Sequence, residues 1–409
     1  MTTNSSHAGP LAGMRVLELA QIMAGPTCGM MLADMGADVI KVEKLPGGDD
    51  SRGYGEPRVN GVSAAFMMLN RNKRGVAVNL KHAQGKEILK RMVADTDVLI
   101  ENYRRGTLEK FGLGYDVLSK INSGLIYCAI SGYGRDGPYG DKGGFDLVAQ
   151  GFSGLMSVTG EPGRPPAKTG NSIADINAGV LSVVGIAAAY AHKLKTGQGQ
   201  IVDTSLIEAA LQQMYWHAAI YFATGKSAGP TGSAHLLTAP YQAFRASDGW
   251  INIGGANQAN WERIADVLER PQWRADPRFA TNMARMENLE VLVAEMTCVL
   301  VTRTRDEWIA AFDKAGVPVG PVHTVEEALE HPQTLARNMV VDLVHPQAGP
   351  TRALGCPVHF SETPTQITRP SPLLGEHTRE LLREYNYTDD QIDAFVADGV
   401  VEEAAAVTT

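Results

Sequence analysis

The sequence has no excess of basic charge: 37 Lys and Arg face 45 Asp and Glu, for a formal net charge of −8. A general nucleic-acid binder, which needs a basic face, is excluded on that ground, while room is left for a local basic pocket around a phosphorylated ligand. Cysteine is sparse. Cys28, Cys128, Cys298 and Cys356 lie far apart and none has CxxC spacing, so no zinc site, dithiol redox motif or disulfide framework is signalled. No run of about 18 apolar residues is seen, and Val180 to Tyr190 is too short to span a bilayer. The opening MTTNSSHAGP lacks the basic and apolar regions of a secretory signal, so the cytoplasm is the expected location. The loop after the first predicted strand reads AQIMAGPTCG rather than GxGxxG, which argues against a nicotinamide or flavin cofactor. There is no Walker A motif, no HExxH, and no GxSxG elbow to pair with any of the ten histidines.

What is present is a globular composition, 44% hydrophobic and 20% charged, over 409 residues. At roughly 150 residues per domain, two or three domains are expected. MRVLELA, ADVIKVE, DVLIENY and LIYCAISGYG read as short buried strands. Helical patterns separate them: AGPTCGMMLADMG, then LKHAQGKEILKRMVADT with Ile88, Leu89, Met92 and Val93 on one face, then TLEKFGLGYDVLSKIN. This alternation predicts βαβ units and a parallel sheet, with ligands bound beyond the carboxyl ends of the strands. Residues 136–177 are rich in Gly and Pro with little periodicity, and a loop region of that length is usually functional. A long apolar helix over 176–195 follows, then a strand IVDTSL. A composition shift near 221–233 marks a boundary. Beyond it, APYQAF and GWINIGG read as a hairpin, followed by helices and further strands near Val340 and Val358. Ser205 with Glu208, Thr304 with Glu307, Thr324 with Glu327 and Thr388 with Gln391 have capping-box spacing. The expected organisation is a large α/β domain over 1–222, a smaller α+β domain over 223–325, and a return to the large domain over 326–409.

Two features carry candidate chemistry. Basic residues gather near predicted strand ends: Lys41 and Lys44, then Arg71, Lys73, Arg74 and Lys81, then Arg104, Arg105 and Lys110. They read either as a phosphate site or as a solvated rim. Asp175, in KTGNSIADINAG, stands at the predicted start of the long helix. It reads either as a simple N-cap or as a functional carboxylate. The long loop before it, the small neighbours Ala174, Ala178 and Gly179, and the helix N-terminus favour the second.

The chain resembles the class III CoA-transferase family, which includes formyl-CoA transferase, carnitine CoA-transferases and alpha-methylacyl-CoA racemase. The motifs are AGPTCGMMLADMGADVIKVE, LNRNKRGVAVNLK, DVLIENYRRG, YCAISGYGRDGPY, DINAGV and KTGQGQIVDTSL, in that order along nearly the whole chain. The resemblance implies a Rossmann-like α/β large domain with a parallel sheet, a smaller α+β domain, and two chains interlocked as a homodimer. It implies a nucleophilic aspartate at Asp175. It implies CoA contacts at Met23 and Ala24, at Lys44, along Val78, Asn79, Leu80 and Lys81, and at Asn102, Tyr103, Arg104 and Lys110. A further pair falls on Phe145 and Asp146.

Two departures narrow the expectation. Racemase members carry His-Asp where this chain has Phe145-Asp146, and phenylalanine moves no proton. The glycine loop of formyl-CoA transferase is here Gly254, Gly255, Ala256 and Asn257, which speaks against oxalate. The stretch around it looks more like members that shuttle CoA between succinate and other dicarboxylates. The expected activity is therefore acyl-CoA:carboxylate CoA transfer, with a racemase-like isomerase or a formyl-CoA:oxalate transferase as alternatives. No tightly bound cofactor and no metal are expected; CoA and acyl-CoA are substrates. The partners expected are small carboxylic acids and a second copy of the chain, with no nucleic acid and no membrane.

Overall fold

The computed structural model describes residues 9–405. Residues 1–8, on which most of the leader-peptide expectation rests, lie outside that range, as do 406–409. By internal contacts the chain divides into two compact units. One comprises the chain up to Leu155, Thr169–Gln213 and everything from Pro332; the other comprises Met156–Lys168 and Met214–His331.

The larger unit is built on a seven-stranded sheet. Its order is Val401–Glu402, Arg74–Val78, Asp38–Glu43, Arg15–Glu18, Val98–Glu101, Ile126–Ser131, Ile201–Ser205. Six strands are parallel, and only the edge strand Val401–Glu402 runs antiparallel, pairing Val401 with Val78. Register is set by Val16, opposite Val39 on one side and Val98 on the other. Alternation along each strand feeds two cores. Val16, Val39, Ile100 and Cys128 face one, beneath the helices Ala24–Asp34 and Ile173–Thr196. Leu17, Ile40, Leu99 and Tyr127 face the other, where Ile88, Leu89, Met92 and Val93 of helix Ala83–Val93 are buried. Coverage of both faces is why these strands are apolar runs rather than alternating ones.

Several elements differ from expectation. Arg74–Val78 is a wholly buried strand. The pattern over 107–122 breaks into Thr107–Lys110 and Tyr115–Ile121 because Gly112 turns the chain at φ 70°. The loop region holds a helix, Asp146–Phe152. No strand forms at Val358; the hairpin pairs Val340–His345 with Gly349–Leu354. The long helix starts at Ile173 and runs 24 residues, so by length and mean hydropathy, contrary to the sequence reading, it could cross a membrane. In the fold its Ala174, Ala178, Val183, Ile186 and Ala189 are buried in the sheet's core.

The smaller unit carries an antiparallel sheet of Tyr241–Arg245, Trp250–Gly254 and Val319–Pro321. Its core includes Phe244, Trp261, Phe279, Trp308 and Phe312. Thr304 with Glu307 and Thr324 with Glu327 form complete capping boxes here, as Thr388 with Gln391 does in the larger unit.

Candidate active site

The central strand Arg15–Glu18 has Asp38–Glu43 on one side and Val98–Glu101 on the other, so the chain switches direction across the sheet at this point. Ligands of open α/β sheets bind beyond such a switch, at the carboxyl ends. A cavity of about 230 Å³ opens there, within the larger unit. Gln21 to Ala24, Asn102 to Arg105 and Ile130 to Gly132 line it, as do Lys142 to Phe145 and Asp175.

Asp175 reaches this cavity through a close helix crossing. A Cβ on Gly179 would stand 2.6 Å from the Ala24 carbonyl oxygen, so only glycine allows the two helices this near. Asp175 lies one turn before Gly179 and shares its face. It is the third residue of its helix, not the N-cap; Ser172 holds that position without a side-chain bond. The capping carboxylate comes from elsewhere: Asp146 Oδ1 accepts from the Ala174 N–H at 2.9 Å and the Asp175 N–H at 3.4 Å. Its other oxygen accepts from Gln150 Nε2 at 2.7 Å, and Gln150 also holds Thr169. Relieved of capping, the Asp175 carboxylate has no hydrogen bond or ion pair among the described residues. Burial, and then the charge of Asp146, push its pKa up to about 7. The N–H groups of Met23 and Ala24, at the start of helix Ala24–Asp34, find no acceptor among the described residues.

The loop before that helix is strained. Ile22 has φ 69°, a left-handed conformation that costs a β-branched residue roughly 1–3 kcal/mol. Its N–H donates to both oxygens of Asp49, at 3.1 and 3.2 Å. Asn102 binds both the N–H and the carbonyl of Gln21, tying two strand ends together. Glu101, pushed up to about 7 by burial, grips Arg135 at 2.6 Å and the Tyr103 N–H at 2.7 Å, joining the third loop. Where Gly132 and Gly144 cross, a Cβ on either would lie 2.7 Å from the other's Cα.

Met23, Ala24, Asn102, Tyr103, Arg104 and Phe145 thus line the cavity with Asp175. Other expected contacts do not. Lys44 binds Gln21 Oε1 at 2.8 Å and pairs with Asp50 at the rim. Val78 is buried in the core, Asn79 caps its own turn through the Lys81 N–H, Leu80 is half-buried, and Lys81 and Lys110 are exposed. Asp146 serves the helix. Gly254 to Asn257 belong to the smaller unit, where Gly255 donates to the Pro240 carbonyl at 2.7 Å and Asn257 caps helix Gln258–Val267.

Of the nine residues of the basic cluster, four are neither phosphate site nor solvated rim. Lys41 and Lys73 are wholly buried and share Glu18, while Arg71 pairs with Asp34. Arg74 joins Asp38, Glu380 and Glu384. Arg105, a member of the basic cluster, lines the cavity, whereas Gln21, Ile22, Asp50 and Lys142 do so without having stood out in the sequence; for Lys142, the basic charge within the long glycine-rich loop region was the available signal. Among the described residues no cluster of His, Cys, Asp and Glu is arranged as for a metal ion.

A raised Asp175 predicts a pH profile. If the carboxylate is the reacting form, kcat/KM rises with pH until about 7 and then levels. In Asp146→Asn the acid limb moves to lower pH, because the like charge is gone while Asn Oδ1 still caps Ala174. Initial rates from pH 5 to 9 check this; an unmoved limb contradicts it.

Comparison with known proteins bears on the family. The family model described as CoA-transferase family III matches residues 11–378. The succinate–glutarate CoA-transferase of Agrobacterium fabrum is 39% identical over 391 residues, 94% of this chain and 98% of that protein. The succinyl-CoA:glutarate CoA-transferase of Mus musculus is 35% identical, covering 96% of this chain and 91% of that one. The crystal structure of a CAIB/BAIF family protein from Brucella suis superposes with a TM-score of 0.83 at 40% identity, over 92% of this chain and all of that one. A cavity at the sheet's switch point, an unpaired carboxylate within it and a match spanning the strands that build both lead to one assignment: the chain belongs to CoA-transferase family III.

Proposed function

We propose that this enzyme moves CoA between succinyl-CoA and a second dicarboxylate, with Asp175 as the nucleophile. The observation that carries the reading is the Asp175 carboxylate itself: in the cavity, accepting no hydrogen bond from any described residue, and destabilised by burial. The named relatives that use succinate and glutarate support the substrate class.

In the first step an Asp175 oxygen attacks the thioester carbonyl and the C–S bond breaks. This leaves an acyl-aspartyl anhydride and CoA thiolate. The thiolate then attacks the aspartyl carbonyl, the donor acid leaves as its carboxylate, and an aspartyl-CoA thioester remains. The acceptor carboxylate attacks that thioester, and the thiolate then attacks the new acyl group, freeing Asp175. Splitting one exchange into such steps is covalent catalysis. Each carbonyl attacked develops negative charge, and the unpartnered Met23 and Ala24 N–H groups are suited to receive it. Arg104, Arg105 and Lys142 supply positive charge at the cavity for phosphate or carboxylate. Met23 and Ala24, Asn102 to Arg104 and Phe145 are the CoA contacts this reading favours; Lys44, Lys81 and Lys110 serve it only at the outer, nucleotide end, and buried Val78 makes no side-chain contact.

The test is a panel. With succinyl-CoA as donor and glutarate, malonate or acetate as acceptor, product thioesters read by mass spectrometry appear fastest with a dicarboxylate. Equal rates with acetate contradict the substrate class. A racemase needs two titrating groups at the α-carbon, but Phe145 supplies none and Asp146 is engaged as a cap. No deuterium is therefore expected to enter 2-methylacyl-CoA held with the enzyme in deuterated water; incorporation as fast as CoA transfer overturns the transferase reading.

The working form is a homodimer on this reading, and the reaction belongs to the cytoplasm. Large apolar side chains left open on the larger unit support the dimer: Phe145 is 71% exposed, Leu194 70% and Val184 60%. Sedimentation at low micromolar concentration should give twice the chain mass of 43.9 kDa; a monomer contradicts it.

A further inference from the structure

We propose that Asp49 is a positioning residue for the reaction, holding Ile22 in its left-handed conformation so that Met23 and Ala24 present their N–H groups to the cavity. The inference rests on the reading of that cavity as the site of acyl transfer.

The loop Ala20–Pro26 joins the central strand to the helix that opens at the cavity. A buried set of charges grips it at three points. Asp49 receives the Ile22 N–H through both oxygens. Lys41 Nζ donates to the Ala20 carbonyl at 3.0 Å and pairs with Asp49 at 2.8 Å and Glu18 at 2.9 Å. Lys73 Nζ donates to the Pro26 carbonyl at 3.0 Å and pairs with the other Glu18 oxygen at 2.7 Å. Ser51 donates to Asp49 Oδ1 through its hydroxyl and its N–H, and the Asp49 N–H is taken by Glu43. Two acids and two lysines thus balance with almost no solvent contact. Gly29 leaves room for them: a Cβ there would fall 1.8 Å from Glu18 Oε2.

Burying four charges is a poor way to stabilise a fold, since apolar residues of similar volume do as well or better. A strained residue persists only where its surroundings over-determine it. Both costs fall on one loop, and the residues just past the strain, Met23 and Ala24, carry the unpartnered donors of the cavity. No other described segment combines a β-branched residue at positive φ with a charged side chain bound to its N–H. The arrangement therefore sets the direction of two backbone N–H groups, a quantity no side chain of the loop itself controls.

The test is a double-mutant cycle in the full chain, using succinyl-CoA with glutarate, together with hydrogen exchange of the peptide covering Ala20–Pro26. Asp49→Asn should lower kcat by about tenfold or more and speed exchange in that peptide by a similar factor. Ile22→Gly alone should lower activity, because it loosens the loop and removes a cavity wall. In the Asp49→Asn background the same change should raise kcat, about threefold or more, because glycine adopts φ near +69° without the steric cost. Such a reversal of sign is not expected if Asp49 acts only on stability. Ser51→Ala, which removes one bond to Asp49, gives a milder form of the same effect should Asp49→Asn fold poorly. Ile22→Gly lowering kcat by the same factor in both backgrounds overturns the proposal, as does unchanged exchange at Ala20–Pro26. If the wild-type enzyme transfers no CoA at all, the reading of the site fails, and the exchange measurement still decides the role of Asp49.

Discussion

Asp175→Ala lowers CoA transfer by roughly 10⁴-fold or more, while the dissociation constant for CoA changes by less than about threefold. The first part follows because the proposed path has no bond-forming step without the aspartyl oxygen. The second follows because the cations and strand-end loops expected to hold CoA lie on other elements. The same carboxylate has a thermodynamic signature. Its folded pKa, about 7, lies above the ordinary value of 3.8, so the folded state binds more protons between those limits. Stability therefore falls as pH rises from about 4 to about 7, and the penalty is constant above that. Asp175→Asn removes the penalty. It should melt above wild type at pH 8, with the gap closing as pH is lowered through 7 toward 4. Equal melting temperatures at pH 8 would count against a destabilised carboxylate, and near-normal turnover in the Ala variant against the nucleophile.

Lys73→Met should be the most destabilising single substitution in the network around the cavity loop, costing about 3–5 kcal/mol. Lys73 is wholly buried, and burial pulls its pKa below the ordinary lysine range while Glu18 opposes that shift. Removing it leaves Glu18 with Lys41 alone and strips the Pro26 carbonyl and Asn70 Oδ1 of their donor. A drop in melting temperature of roughly 5 °C or more is expected for a unit of this size. Pairing the change with Glu18→Gln should recover part of the loss, because the stranded charge is then gone. Thermal melts of the two variants check this. A Lys73→Met protein as stable as wild type would show that the buried pair contributes nothing to the fold.

The parts of the fold that were legible share a physical cause. MRVLELA, ADVIKVE, DVLIENY and LIYCAISGYG are strands covered on both faces, and so appear as apolar runs that no surface element imitates. RGVAV is also covered, but it is short and begins with an arginine. That arginine is buried because Asp38 on the neighbouring strand, 36 positions back, and Glu380 and Glu384, some 300 positions on, all meet it. Lys41 and Lys73 misled in the same way, since their partner Glu18 lies 23 and 55 residues back along the chain. Charge pairing across a sheet leaves no local pattern. The helix Asp146–Phe152 was hidden by its seven-residue length and its glycine-rich surroundings. Asp175 was legible as a candidate from its small neighbours and its place at a helix start. That Asp146 caps the helix in its stead was not, because the amides it binds lie 28 and 29 residues further on.

The most direct measurement is chemical trapping of the intermediate. The wild-type protein is mixed with succinyl-CoA in the absence of acceptor, quenched with hydroxylamine, digested and read by mass spectrometry. The hydroxamate is expected on the peptide containing Asp175, it should disappear when CoA donor is omitted, and Asp146→Asn should still carry it. Steady CoA transfer with no label on Asp175, or with the label on another carboxylate, would contradict the account.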